Sequence, residues 1–167
     1  MDIDRRLTVI PDFKSFSSAL TGLPVSLVWR GYGLAMARRF FSNFGSLQPQ
    51  SMPDGSPASP RGQWTLMIQW SWRIEGKRKI WCGSWSDEAR WPRAFSRLQG
   101  ATVVSASLFG HLPEVALKLA NGLSVVSMMT EEGDPAWVLT DHGKAPATSL
   151  SVRSGRLHLE VEPYDVS

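Results

Sequence analysis

LPEVALKLANGLSVVSMMTEEGDPAWVL, residues 112–139, decides the fold class of this chain. Val115, Leu117 and Leu119 alternate with Glu114, Ala116, Lys118 and Ala120, a period of two that places the apolar set on one side of a strand. Asn121-Gly122 is a two-residue hairpin signal, because both residue types tolerate positive φ. Leu123 to Met129 then returns antiparallel, Glu131, Glu132 and Asp134 form an acidic loop, and Trp137 to Leu139 extends the meander.

The same alternation recurs upstream. In residues 64–73, Trp64, Leu66, Ile68, Trp70 and Trp72 share one face and Thr65, Met67, Gln69, Ser71 and Arg73 the other, which reads as one half-buried antiparallel strand. Glu75-Gly76-Lys77-Arg78 supplies a reversal and residues 79–85 return, giving a hairpin with a basic tip. Residues 25–30 form a strand after Pro24. Residues 33–45 read as a second strand pairing with it, a helix being the alternative that Ala and Arg favour. Val104, Ala106 and Leu108 mark another strand, and residues 150–152 pair with 156–161 across Ser154-Gly155.

Helical signals are few. Phe13, Phe16 and Leu20 fit one short helix closed by Gly22. Ser86 followed by Asp87 and Glu88 fits the start of a second, whose length Pro92 limits. Residues 46–62 hold four prolines and four serines and read as a long mobile loop. The count of about eight to ten short strands, with no regular alternation of strand and long helix, predicts an α+β chain that is mainly β. The expected architecture is a single domain over 1–167, an antiparallel β-sandwich or strongly curved sheet with one or two short helices.

Composition narrows the function classes. Cys82 is the single cysteine, so an intrachain disulfide and a thiolate metal cluster are excluded. The first residues lack a signal-peptide pattern and no apolar run is long enough for a membrane helix, so a cytoplasmic protein with no membrane partner is expected. His111, His142 and His158 are not at metal-ligand spacing, and no nucleophile elbow, phosphate loop or dinucleotide fingerprint occurs. The expectation is therefore a protein that is not an enzyme and carries neither metal nor cofactor. Cys82, inside a strand, reads as a packing residue.

Charge is uneven. Residues 61–100 carry eight basic and three acidic side chains, residues 101–167 four and eight. Basic and aromatic side chains interleave in the middle, from Arg73 through Trp81 to Arg97. From this set, Arg73, Lys77, Arg78, Lys79, Trp85, Arg90, Trp91 and Arg93 are the expected partner-binding residues. The Glu131, Glu132 and Asp134 loop is the competing surface. A protein partner is favoured over nucleic acid, since no recognised nucleic-acid motif is present and the acidic last third opposes broad phosphate contact.

WTLMIQWSWRIEGKRKIWCGSW at 64–85 and LPEVALKLANGLSVVSMMTEEGDPAWVL at 112–139, with LPVSLVWRGYGL at 23–34, resemble small bacterial immunity proteins encoded beside polymorphic or Rhs-type antibacterial toxins. The resemblance implies a cytoplasmic protein that binds a cognate toxin domain and blocks its active site or substrate access. Immunity proteins against nucleases are commonly strongly acidic, and this chain has a net charge of +3. A toxin with an acidic catalytic cleft, for example an ADP-ribosyltransferase, fits better than a nuclease. A secretion-associated adaptor or chaperone, and a small-ligand-binding β-protein, remain as alternatives.

Overall fold

The computed structural model describes residues 12–32, 38–130 and 135–161. It is mainly β, with two short helices and antiparallel sheets. Six strands form one sheet in the order β1 (Val25–Tyr32), β2 (Arg38–Phe44), β5 (Trp64–Ile68), β11 (Trp137–Asp141), β12 (Thr148–Arg153) and β13 (Arg156–Val161). Five form the other, in the order β7 (Ile80–Gly83), β6 (Trp72–Glu75), β10 (Ser124–Ser127), β9 (Glu114–Leu119) and β8 (Val103–Phe109). The sheets are stitched together at one edge. Gly22 N–H donates to the Val103 carbonyl (2.8 Å), Val103 N–H to Leu23 (2.9 Å) and Gly100 N–H to Val25 (2.8 Å), so the start of β1 runs against the start of β8.

Residues 64–73, which read as one strand, are two. The chain leaves the six-stranded sheet after Ile68 and enters the five-stranded sheet at Trp72. Both sheets satisfy the backbone of the crossing: Gln69 N–H donates to the Ala136 carbonyl (2.9 Å), and the Ser71 carbonyl accepts from Met128 N–H (2.9 Å). The alternation survives the crossing because the interior lies on the same side of the chain before and after it. Trp64, Leu66, Ile68, Trp72 and Ile74 are all buried, while Trp70, at the bend, is half-buried. A second crossing follows β10. β11 pairs with β5 and β12 and does not extend the β9–β10 meander, a correction to the sequence reading.

The turn at Asn121-Gly122 is one residue longer than the two-residue hairpin expected. Gly122 N–H donates to the Leu119 carbonyl (3.1 Å) and Leu119 N–H to Leu123 (2.9 Å), which makes a three-residue loop closed by Gly122 at φ +85°. Only the glycine needs positive φ. Asn121 instead accepts from Leu123 N–H (3.1 Å) through its side-chain oxygen and donates to the Arg97 carbonyl (2.8 Å).

The strand expected over residues 33–45 is present from Arg38 onward, with Phe40 and Phe44 fully buried; residues 33–37 lie outside the described residues. Residues 46–62 carry a two-stranded ribbon, β3 (Gln48–Ser51) and β4 (Pro57–Arg61), where the sequence suggested a mobile loop. A ribbon with no neighbouring strand leaves outer positions needing no donor, so its prolines fit, and its exposed residues explain why no apolar pattern announces it.

Helix α1 (Phe13–Leu20) starts at Asp12, whose carboxylate accepts from Lys14 N–H (3.0 Å). Its Phe16 meets Trp64 and its Phe13 meets Trp137, ring centroids 5.5 and 6.2 Å apart. A 3-10 turn (Glu88–Arg90) leads into α2 (Trp91–Leu98). The cap is Asp87, accepting from Ala89 N–H (3.0 Å), and Pro92 sits in the first turn of α2, where no helical N–H is required of it. Proline therefore opens this helix rather than limiting it. Trp91, Ala94 and Leu98 are buried, with Trp91 against Trp72, and Phe95 meets Phe40 edge-on.

Trp72 is 1% exposed and contacts the rings of Phe40, Trp91 and Phe95 at 5.2–5.9 Å. Replacing it with alanine should cost about 3–5 kcal/mol of stability. Trp85→Ala, at a side chain 73% exposed, should change stability by less than about 0.5 kcal/mol. Urea unfolding followed by far-UV circular dichroism checks both; equal midpoints for the two variants would contradict the packing described.

Candidate functional site

The β6–β7 hairpin and α2 together build a basic surface around one indole. β7 is the edge strand of the five-stranded sheet, with Cys82 turned inward and Trp81 half-buried on the opposite side. Arg90, Arg93 and Arg97 fall three and four residues apart, so they line one flank of the 3-10 turn and α2. The Lys79 ammonium lies 3.9 Å from the Trp81 ring centroid, the Arg97 guanidinium 5.1 Å and that of Arg93 5.9 Å. Arg90 donates to the Ile80 carbonyl on the open edge of β7 (3.2 Å). Lys79, Trp81, Ala89, Arg90 and Arg93 enclose a cleft of about 260 Å³.

None of Lys77, Arg78, Lys79, Arg90, Arg93 and Arg97 forms an ion pair with a described residue. The ring quadrupole of Trp81 offsets part of their mutual repulsion, each exposed cation–π contact contributing about 0.5–1 kcal/mol. The cleft can therefore accept anionic groups without first breaking a salt bridge.

The expected partner-binding residues divide on the structure. Lys77, Arg78, Lys79, Arg90 and Arg93 are exposed and belong to this surface. Arg73 lines the shallow depression at the hairpin tip, but its guanidinium is taken up by Glu75 at 2.5 Å. Trp85 is exposed away from the cleft, with Arg38 5.9 Å from its ring and its own N–H 3.4 Å from Ser71 Oγ. Trp91 is a correction: it is 2% exposed, its N–H donates to the Gly83 carbonyl (2.9 Å), and it packs on Trp72. Its place on the inward stripe of α2 removes it from the surface. Glu131, Glu132 and Asp134 lie outside the described residues. Trp81 lines the cleft and Arg97 lies beside it against the Trp81 ring, although neither is among the eight residues singled out above. The signal for Arg97 is its helical spacing from Arg90 and Arg93 once Pro92 is read as a first-turn residue.

Other reactive groups sit elsewhere. Cys82 is buried, and burial pushes its thiol up to about 11 against a smaller opposing pull from Arg90, so it is a protonated packing residue at neutral pH. His111 and His158 are exposed. Among the described residues no three His, Cys, Asp or Glu side chains gather as metal ligands, and no helix is long and apolar enough to cross a membrane.

His142, in the turn after β11, is more constrained than its loop position suggested. Its Nε2 is 3.0 Å from Thr65 Oγ1, whose hydroxyl donates to Asn43 Oδ1 (2.7 Å). The hydroxyl thus has a lone pair to offer, and the imidazole donates to it from Nε2 as the neutral tautomer. Desolvation, with repulsion from Arg61, lowers the imidazole to about 4 against the opposing effect of Asp141.

The folded imidazole resists a proton that the unfolded chain accepts near pH 6.5. Its contribution to stability is therefore complete above pH 6.5 and is lost as pH falls toward 4. His142→Gln should flatten the dependence of urea midpoint on pH across that window. Parallel slopes in the two proteins would show that His142 carries no depressed value. Comparison of the chain with protein-family models, curated proteins and solved structures finds no match.

Proposed function

We propose that this chain is a binding protein that docks an acidic surface of a protein partner in the Trp81 cleft. The single observation that carries this reading is the set of six cations without ion-pair partners among the described residues: Lys77, Arg78 and Lys79 in the turn that leads into the edge strand β7, Arg90 in the 3-10 turn, and Arg93 and Arg97 on α2. Both walls are held by buried packing: Cys82 and Ile74 beneath the hairpin, Trp91, Ala94 and Leu98 beneath the helix. This packing fixes the backbone that carries the charges, while ordering each exposed Lys or Arg side chain on binding costs about 0.5–1.5 kcal/mol.

The partner we favour is a cognate toxin domain, which makes the chain a cytoplasmic immunity protein acting by occlusion. Lys77, Arg78 and Lys79 lie on the β6–β7 hairpin, within residues 64–85, one of the stretches that carry the resemblance to such proteins. A cationic inhibitor suits a toxin whose catalytic cleft uses carboxylates, such as an ADP-ribosyltransferase. It does not suit a nuclease, whose site attracts anions. Nucleic acid is disfavoured because the one indole in the cleft, Trp81, is already stacked by Lys79, Arg93 and Arg97, while the strongly exposed Trp85 lies outside the cleft.

The test is growth rescue. The product of the neighbouring gene is expressed with and without this chain, and the pair is then co-purified. Rescue with a stable complex is the expected result. Toxicity without rescue overturns the immunity role, and a complex with a harmless neighbour points to an adaptor. Lys79→Glu and Arg93→Glu should each weaken the complex about tenfold or more and abolish its salt sensitivity in part, while Trp85→Ala should leave affinity within about twofold. Isothermal titration at two salt concentrations reads all three.

A further inference from the structure

On the other side of α2 from the basic cleft lies a second depression, about 570 Å³, between the helix and β1. Its walls are mainly apolar: Trp29, Pro92 and Phe95 surround a floor of Val28 and Trp91. Trp29 lines the groove from β1, and its ring stacks on Phe41 of β2, centroids 5.1 Å apart and planes 5° from parallel. Ser96 and Gln99 form the exposed rim on α2.

Glu88 also borders this groove, and an acidic partner would be repelled by a bare carboxylate there. It is not bare. Glu88 pairs with Arg30 and lies 3.7 Å from Arg38, both guanidinium groups stacking over Trp91. With the exposed Asp87 beside Glu88, two carboxylates stand against two guanidiniums, so the charge at this end is close to balanced and the excess positive charge lies in the Lys79–Arg90–Arg93 cleft. Ala89 lines both the apolar groove and the basic cleft, so the two depressions meet across the 3-10 turn.

We infer that the partner's recognition element is an acidic segment carrying one large apolar side chain, the carboxylates entering the Lys79–Arg90–Arg93 cleft and the apolar group crossing Ala89 into the groove against Trp29 and Phe95. This rests on the acidic-partner reading and adds to it a second pocket and the chemistry that fills it. Charge complementarity selects the acidic part. The small side chain of Ala89 leaves the pass open, and the apolar walls select the anchor.

The probe is a series of rhodamine-labelled oligoglutamate peptides, identical except for one central Ala, Leu or Phe, titrated into the full chain at low ionic strength. The Leu and Phe peptides should bind about tenfold more tightly than the Ala peptide, as expected for burying one such side chain. Ser96→Trp and, independently, Gln99→Trp, which fill the groove from its rim, should remove that gain and leave the Ala peptide unchanged. Arg93→Glu should weaken all three peptides together. Circular dichroism melts establish that each variant is folded. Equal affinity for the three peptides would overturn the inference and leave the acidic reading standing. The same follows if the gain persists in both folded groove variants. Absence of binding by every peptide would sink the acidic reading itself, and with it the inference. An oligothymidylate that displaces the peptides at lower concentration would assign the surface to nucleic acid and overturn both.

Discussion

Trp72 is the side chain through which both sheets and α2 are coupled. Its indole N–H donates to the carbonyl of Arg38 on β2 (2.7 Å), in the opposite sheet, and its backbone carbonyl accepts from Ser84 N–H (3.0 Å). Its ring meets Phe40 of β2 and Trp91 and Phe95 of α2. It also stands at the point where the chain passes from one sheet to the other. A large aromatic at that point fixes how far apart the sheets lie and where the helix rests on them. Gly83 serves the same junction: a Cβ there would come within 2.8 Å of the Trp72 carbonyl, so β7 could not approach β6 as closely.

The cleft depends on that junction at one remove. β7 supplies Trp81 on one side because Cys82 is packed on the other, and α2 supplies its arginines because Trp91 is packed beneath. Two unit charges about 6 Å apart in bulk water repel by about 0.7 kcal/mol, which is close to the gain from one exposed cation–π contact. The surface is thus near balance by itself, and an incoming carboxylate meets cations that have no competing attachment to a described acidic group. Screening by salt weakens repulsion and attraction alike, so the electrostatic part of affinity at such a surface falls as ionic strength rises.

Most strands were legible because each buries one face, and a period of two is visible whenever alternate residues enter a core. β5, β6 and β9 announced themselves in this way, whereas β10 and the β12–β13 pair were legible from their turns at Asn121-Gly122 and Ser154-Gly155, β13 having no buried residue. The change of sheet at residues 69–71 was silent for the same reason: the inward face continues through it, and periodicity reports which side faces the core but not which sheet does the pairing. β11 was assigned to the wrong neighbour on that account. The β3–β4 ribbon was silent because nothing in it is buried deeply enough to leave a pattern. In the candidate site, the charge cluster was legible as composition. The exposure of individual aromatics was not, because Trp81, Trp85 and Trp91 differ only in which way a local element turns them.

Those three orientations come together in α2, eight residues long. With 3.6 residues per turn, Trp91, Ala94 and Leu98 form the inward stripe, Arg93 and Arg97 face Trp81, and Pro92, Ser96 and Gln99 face β1. Each stripe fixes the other two. Once Trp91 enters the core beside Trp72, the arginines can only lie toward β7 and the rim of the apolar groove only toward β1. A substitution that rotates the helix would displace the cleft and the groove together, even if every charged residue were retained. The separation of the basic cleft from the apolar groove is therefore a consequence of one buried indole, and the geometry of the candidate site is set from the core outward.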